Sequence, residues 1–228
     1  RVEEVAGDDS DRRAAAAILS LIVYLVLLLL MVQAANGVAI EKANRISEVL
    51  LAVVKPTALF FGKVVGVALV GLAGLAAGAI PVIVKVVVGG DLPAGLGPAI
   101  AGGLPWIVLG LALYLTTAGA LGALVERQED AGSVLAPLSI LLIATYIVAQ
   151  SSTDGTFGVV LAIFPFTAPI VMPSRIALGI ATAPEIAASL VIGVVTVVVV
   201  VRLGAAMYRR GIVQTGRRLR IGEVLRSP

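Results

Sequence analysis

The sequence predicts an all-α fold, a polytopic transmembrane helical bundle, and three observations lead there. Apolar residues make up 59% of the 228 positions, charged residues only 14%, and mean hydropathy is +1.08. A water-soluble domain needs far more charge to cover its surface. The apolar residues gather into stretches long enough to cross hydrocarbon, which takes roughly 17–25 residues of helix. The lysines and arginines between them divide unequally between the two sides that alternate crossings create.

Five stretches qualify as spans: Ala14–Gln33, Val64–Val84, Trp106–Leu124, Val134–Ala149 and Ile186–Leu203. The fourth is short, with Pro137 near its start. The fifth contains "VVTVVVVV", which in water would suggest a strand. In lipid an open strand leaves its backbone groups unpaired, so the run is read as helix. Five crossings put the termini on opposite sides. With the C-terminus in the cytoplasm, the inner segments hold twelve cations: Lys42, Arg45, Lys55, Lys63, Arg127, Arg202, Arg209, Arg210, Arg217, Arg218, Arg220 and Arg226. Five stay outside: Arg1, Arg12, Arg13, Lys85 and Arg175. The positive-inside rule selects this orientation for a multi-pass protein of the plasma membrane. Residues 1–13, acid-rich at Glu3, Glu4, Asp8, Asp9 and Asp11, are then the end of an extracytoplasmic region. Residues 14–207 form the membrane domain and 208–228 a basic cytoplasmic tail. The chain starts with Arg1 and shows no short cleavable signal, so it is read as a fragment or processed chain lacking something upstream.

Between spans four and five, an apolar stretch is broken by Pro165, Pro169, Pro173 and Pro184. It is too interrupted for one crossing helix and too apolar for a free loop. Two short helices, Phe157–Phe164 and Ala168–Gly179, are expected to meet around Pro165 and dip back into the outer leaflet. A single interfacial helix lying flat is the alternative.

The segment "GVAIEKANRISEVLLAVVKPTALFFGKV", residues 37–64, carries patterned charge. At 100° per residue Glu41, Asn44, Arg45, Glu48 and Lys55 share a stripe, opposite Ala39, Ala43, Ile46, Leu50 and Val53. Glu41–Arg45 and Arg45–Glu48 have i,i+4 and i,i+3 spacing. Lys55 precedes Pro56, which marks a stop, and Thr57 is placed to cap a second short helix that runs through "ALFFGK" into span two. This predicts an amphipathic cytoplasmic helix lying against the membrane. Its stripe either meets a partner or is simply solvated at the interface.

Chemistry is sparse. With no Cys and no His, thiolate metal sites, histidine-ligated zinc and Ser-His catalysis are excluded. "TALFFGKVV" has a Gly-Lys but lacks the leading Gly and the following Ser or Thr of a phosphate loop. Polar residues at or near the spans are Gln33, Tyr114, Thr116, Thr117, Thr145, Tyr146 and Gln150. They either line a pathway or bond a neighbouring helix. Gly74 and Gly78 have the spacing of a close helix contact, within the bundle or with a second subunit. Glu126, Glu129 and Asp130 beside Arg127 form a second cytoplasmic contact, a gate latch or a solvated loop.

Four stretches carry a resemblance. "EKANRISEVLLAVVKPTALFFGKVVGVALVGL", "ALGALVERQEDAGSVLAPLSILL", "FPFTAPIVMPSRIALG" and "GRRLRIGEVLR" occur in order along nearly the whole chain. Together they resemble type-2 ATP-binding-cassette (ABC) exporter permeases, in the branch that includes sodium-efflux permeases. The resemblance implies a six-span half-transporter of which this chain supplies spans two to six. It implies that the first cytoplasmic connection is a coupling helix presenting Glu41, Lys42, Arg45 and Glu48 to a separate ABC ATPase. It further implies a second permease subunit, as homodimer or heterodimer. ATP and Mg would be bound by the partner ATPase, with no cofactor in this chain and no role for nucleic acid. An ATPase-independent carrier or channel, and a non-transport membrane scaffold, are the rival expectations. Cargo is left open between ions and drug- or lipid-like molecules.

Overall fold

A computed structural model describes residues 2–44, 50–89, 96–125, 127–151 and 153–213. Among them are seven helices and no strand. They are α1 (Val2–Ala43), α2 (Pro56–Val87), α3 (Leu96–Gly122), α4 (Gln128–Ser151), α5 (Gly155–Ile163), α6 (Ala168–Ala177) and α7 (Ala183–Val213). Five contain stretches long and apolar enough to cross a membrane: Ser10–Ala43, Pro56–Pro81, Ile100–Gly122, Gln128–Ser151 and Ala183–Ile212. The expected polytopic helical bundle is what the chain forms.

The helix ends differ from expectation, for physical reasons. The first helix does not stop at Gln33. Its buried stripe of Leu27, Met31, Ala34 and Ala35 continues into Val38 and Ala39, so burial carries the helix through Gly37 to Ala43. Residues 37–43, expected to open a separate amphipathic helix, are therefore the last two turns of α1. Asn44 closes that end, its N–H on the Ile40 carbonyl at 3.0 Å. Arg45 and Glu48 lie outside the described residues. Thr57 does not cap a short helix. Pro56 takes the first helical position, where its missing N–H costs nothing, and the Lys55 carbonyl accepts the Leu59 N–H at 3.1 Å. From there α2 runs unbroken to Val87. Both α3 and α7 begin before the expected spans, and α7 continues to Val213 because Tyr208 and Ile212 are buried there.

The proline-rich stretch folds into two short helices, as expected. Gly155 (φ +70°) opens α5 and Gly179 (φ +72°) follows α6, both in left-handed backbone that glycine adopts without steric penalty. Between them the Phe164 carbonyl accepts the Thr167 N–H at 3.0 Å and its hydroxyl at 3.1 Å. The helices pack on each other. With nine and ten residues they extend about 14–15 Å, half of what a crossing requires.

The chain divides into two compact units, each built from pieces of several helices. Unit one comprises residues 1–26, 72–110 and 141–196. It holds buried Trp106, whose indole N–H donates to Ser189 Oγ (2.8 Å), while that hydroxyl donates to the Ala162 carbonyl (2.6 Å). This chain of bonds joins α3, α7 and α5. Unit two comprises residues 27–71, 111–140 and 197–228. Its core is Val38, Phe60, Ala120, Ala123, Ala205, Tyr208 and Ile212. Here helices touch backbone to backbone. A Cβ on Gly122 would lie 2.5 Å from the Ala35 carbonyl oxygen, and one on Gly211 would lie 2.7 Å from that of Ala123.

Candidate functional site

Three charges of the 37–64 segment, Glu41, Lys42 and Lys63, meet near the end of α1. Glu41 and Lys42 are adjacent in its last turn and point to different partners. Lys42 is 5% exposed and its ammonium donates to the Ala123 carbonyl at 2.9 Å, just past the end of α3. Glu41 forms an ion pair with Lys63 of α2, both side chains about a quarter exposed or less. Lys63 Nζ also lies 6.0 Å from the ring centroid of Tyr208 on α7, within reach of a cation–π attraction. The Tyr208 ring stacks at a tilt on Phe60, centroids 4.8 Å apart. Its buried hydroxyl has no hydrogen-bond partner among the described residues. The last turn of α1 is thus bound to α2 through one charge and to the end of α3 through the other. Lys42 cannot offer its ammonium outward, because that group already serves inside the unit.

Beside the ion pair is a cavity of about 310 Å³. Gln33, Gly37 and Glu41 line it from α1, Lys63 and Val67 from α2, and Gly119 from α3. Gln33, expected as a pathway residue, is therefore on a cavity wall. Tyr114 and Thr116 are buried, and Thr117 donates back to the Leu113 carbonyl at 2.7 Å. Thr145 does the same to Leu141 at 2.7 Å.

In unit one Tyr146 and Gln150 belong to a polar cluster. Ser20 Oγ donates to Gln150 Oε1 (3.2 Å), Gln150 Nε2 donates to the Tyr146 hydroxyl (3.1 Å), and Tyr146 stacks on Tyr24 at 4.8 Å. Gln150 also lines a cavity of about 510 Å³ with Arg12 and Arg13. Of the second charged cluster, Arg127 and Glu129 are exposed and Asp130 is half-buried with a partner. Its backbone carbonyl accepts the Ser133 hydroxyl at 2.7 Å. Glu126 lies outside the described residues.

Two groups escape sequence reasoning. Lys63 enters the sequence reading only as an inner cation and as the Gly-Lys of a failed phosphate loop, 22 residues from its partner. Arg175, 3% exposed in α6, donates to the Thr153 and Ile180 carbonyls and to Glu185 Oε2 (2.9 Å). Its signal was available: a lone cation inside "IVMPSRIALG" must find a partner when buried, and Glu185 is the next acid.

A family described as ABC-2 family transporter protein matches residues 1–206. The chain belongs to the ABC-2 transporter family. It is thus a multi-pass membrane protein of a family that supplies membrane components of ABC transporters, which usually work with an ATPase subunit. The match is to ABC-2 proteins generally and selects no sodium-efflux branch. Among relatives, this ABC-2 chain is 29% identical over 196 residues to "Uncharacterized protein YhaP" of Bacillus subtilis (strain 168), covering 78% of this chain and 46% of that protein. It is 26% identical over 192 residues to "Uncharacterized protein MJ1024" of Methanocaldococcus jannaschii, covering 82% and 46%. The chain therefore spans about half the length of these relatives. No solved structure matches it significantly.

Proposed function

We propose that this ABC-2 chain is the permease part of an ATP-driven exporter. It forms the substrate pathway with a second permease subunit and is driven by a separate ATPase that holds ATP and Mg. One observation carries the reading: the end of α1, beside the first connection, is tied to α2 by Glu41–Lys63 and to the end of α3 by Lys42–Ala123. A push delivered at residues 44–55 would therefore reach three helices together. That is what alternating access needs from a coupling element.

Within this reading Glu41 and Lys42 brace the connection from inside, while Arg45 and Glu48 meet the ATPase. Arg127, with Glu126, Glu129 and Asp130, forms a weaker second contact. The first connection and the tail beyond α7 are cytoplasmic in this reading, which the distribution of Lys and Arg favours.

The test is Arg45→Glu in the full-length protein co-expressed with its ATPase. Within an exposed helix three acids on one face cost only a few tenths of a kcal/mol. Losing one partner of a desolvated intermolecular pair costs roughly 2–5 kcal/mol. Arg45→Glu should therefore insert normally yet lose ATPase association or transport-linked hydrolysis by more than about tenfold. Arg127→Glu should do less. Unchanged assembly and transport in Arg45→Glu would remove the coupling assignment. An ATPase-independent carrier would instead transport with no nucleotide-binding subunit present.

A further inference from the structure

We infer that the cavity beside Glu41 and Lys63 is a binding pocket for a small amphiphile whose head carries no net charge, either zwitterionic or neutral and hydrogen-bonding. Its role as a cargo site rests on the permease reading; its capacity to bind does not.

The geometry sets the ligand. Gln33, Gly37 and Glu41 recur every four residues and so form one stripe of α1. Phe60, Lys63, Val64 and Val67 form the corresponding stripe of α2. Both stripes line the same space. Its polarity is graded. The ion pair stands at one end, an apolar middle follows, and the Gln33 amide stands about 12 Å along α1 from Glu41. The space is open to occupants. A Cβ placed on Gly37 in its wall, or on the exposed Gly66 at its open side, would meet nothing within 4 Å. Its volume of about 310 Å³ is at the lower end of the range in which small-molecule sites occur, roughly 300–1,000 Å³.

Charge then selects the head. Opposite charges facing each other present a donor and an acceptor without net charge, which matches a head having both. A bare hard cation is poorly served, since such ions take about six or more oxygen ligands. The side-chain oxygens on this wall are the Glu41 carboxylate, already on Lys63, and the distant Gln33 amide. An anionic or cationic head would have to break the pair and leave the other charge without its partner in a half-buried place.

The experiment measures binding to the full-length protein in nanodiscs of uncharged lipid, corrected against empty discs, with no ATPase present. Three probes share a decyl chain and differ in head: dimethylamine oxide, sulfate and trimethylammonium. The wild type should prefer the amine oxide. Lys63→Gln leaves the carboxylate alone and should shift preference toward trimethylammonium by about tenfold. Glu41→Gln leaves the ammonium alone and should shift it toward sulfate by a similar factor. Gly66→Leu, or Gly37→Val should the former fail to fold, fills the open space and should abolish saturable binding of all three. A purely structural ion pair would weaken all three probes alike in both variants, and that result overturns the proposal. So would saturable binding that survives both cavity-filling variants. Because no ATPase is present, a failure here leaves the coupling reading standing, and failure of Arg45→Glu leaves the pocket standing.

Discussion

Arg175 and Glu185 are partners, but removing one is not equivalent to removing the other. The Arg175 side chain is 4% exposed and that of Glu185 16%. Take Glu185→Leu first. It leaves a buried guanidinium with only the Thr153 and Ile180 carbonyls, and a buried charge stripped of its partner costs about 3–5 kcal/mol. Now take Arg175→Met, which keeps most of the volume. The stranded Glu185 still accepts the Thr182 N–H at 3.2 Å and reaches water, so its charge remains solvated. The main loss is then the donor to the buried Thr153 carbonyl, about 1–3 kcal/mol. The double variant removes the stranded charge and should be milder than Glu185→Leu alone. The assay is denaturant-induced unfolding in micelles followed by Trp106, the sole tryptophan, which is buried in the same unit. Arg127→Met, at an exposed site, is the control and should stay within about 0.5 kcal/mol of the parent. If Arg175→Met proves as costly as Glu185→Leu, or the double variant is the worst of the three, the burial-based reasoning is refuted.

Three further outcomes are expected. Ser189→Ala leaves the Trp106 indole N–H and the Ala162 carbonyl without their shared hydroxyl, so stability should fall by about 1–3 kcal/mol and Trp106 emission should shift to the blue. An unshifted spectrum would show that the bond does not form. Gly122→Val drives a side chain into the Ala35 backbone and should cost at least about 1–3 kcal/mol, whereas Gly74→Ala meets nothing within 4 Å and should leave the isolated chain's stability unchanged. Loss of dimer in Gly74→Ala, with stability intact, would assign that glycine to a subunit contact. Single cysteines at Ser47 and Ser227 should resist an impermeant thiol reagent in intact cells; labelling from outside would invert the topology.

The spans were legible because lipid imposes a simple demand: each crossing needs enough apolar helix and no unpaired backbone. Prolines made the α5–α6 pair legible for the same reason, since they divide an apolar stretch too short to cross twice. Helix ends were harder. Gly37 and the charges after it look like the start of a new element. What keeps α1 going is burial of Val38 and Ala39, and burial depends on neighbours distant in sequence. The Thr57 cap failed against a stronger local fact, Pro56 at the first helical position. Long-range pairs were not legible at all. Trp106 and Ser189 are 83 residues apart, Lys42 and Ala123 81, and nothing local to either partner announces the other.

The charged segment 37–64 shows how pattern and role separate. Spacing along one helix sorted Glu41 with Arg45 and Glu48 as a common outward stripe. The fold assigns Glu41 to Lys63 on the neighbouring helix, and it buries Lys42 against the end of a third. In an apolar bundle an ionised group is retained at low cost only where a partner offsets its desolvation. Glu41 and Lys42, in the last turn of α1, both find such partners inside the unit. Arg45 is therefore the position that tests the proposed coupling, and Glu41 the position that tests the pocket. A substitution at Glu41 that disturbed ATPase assembly would act through the brace, not through lost contact, and pairing it with Lys63→Glu to restore the opposite charges should then recover assembly.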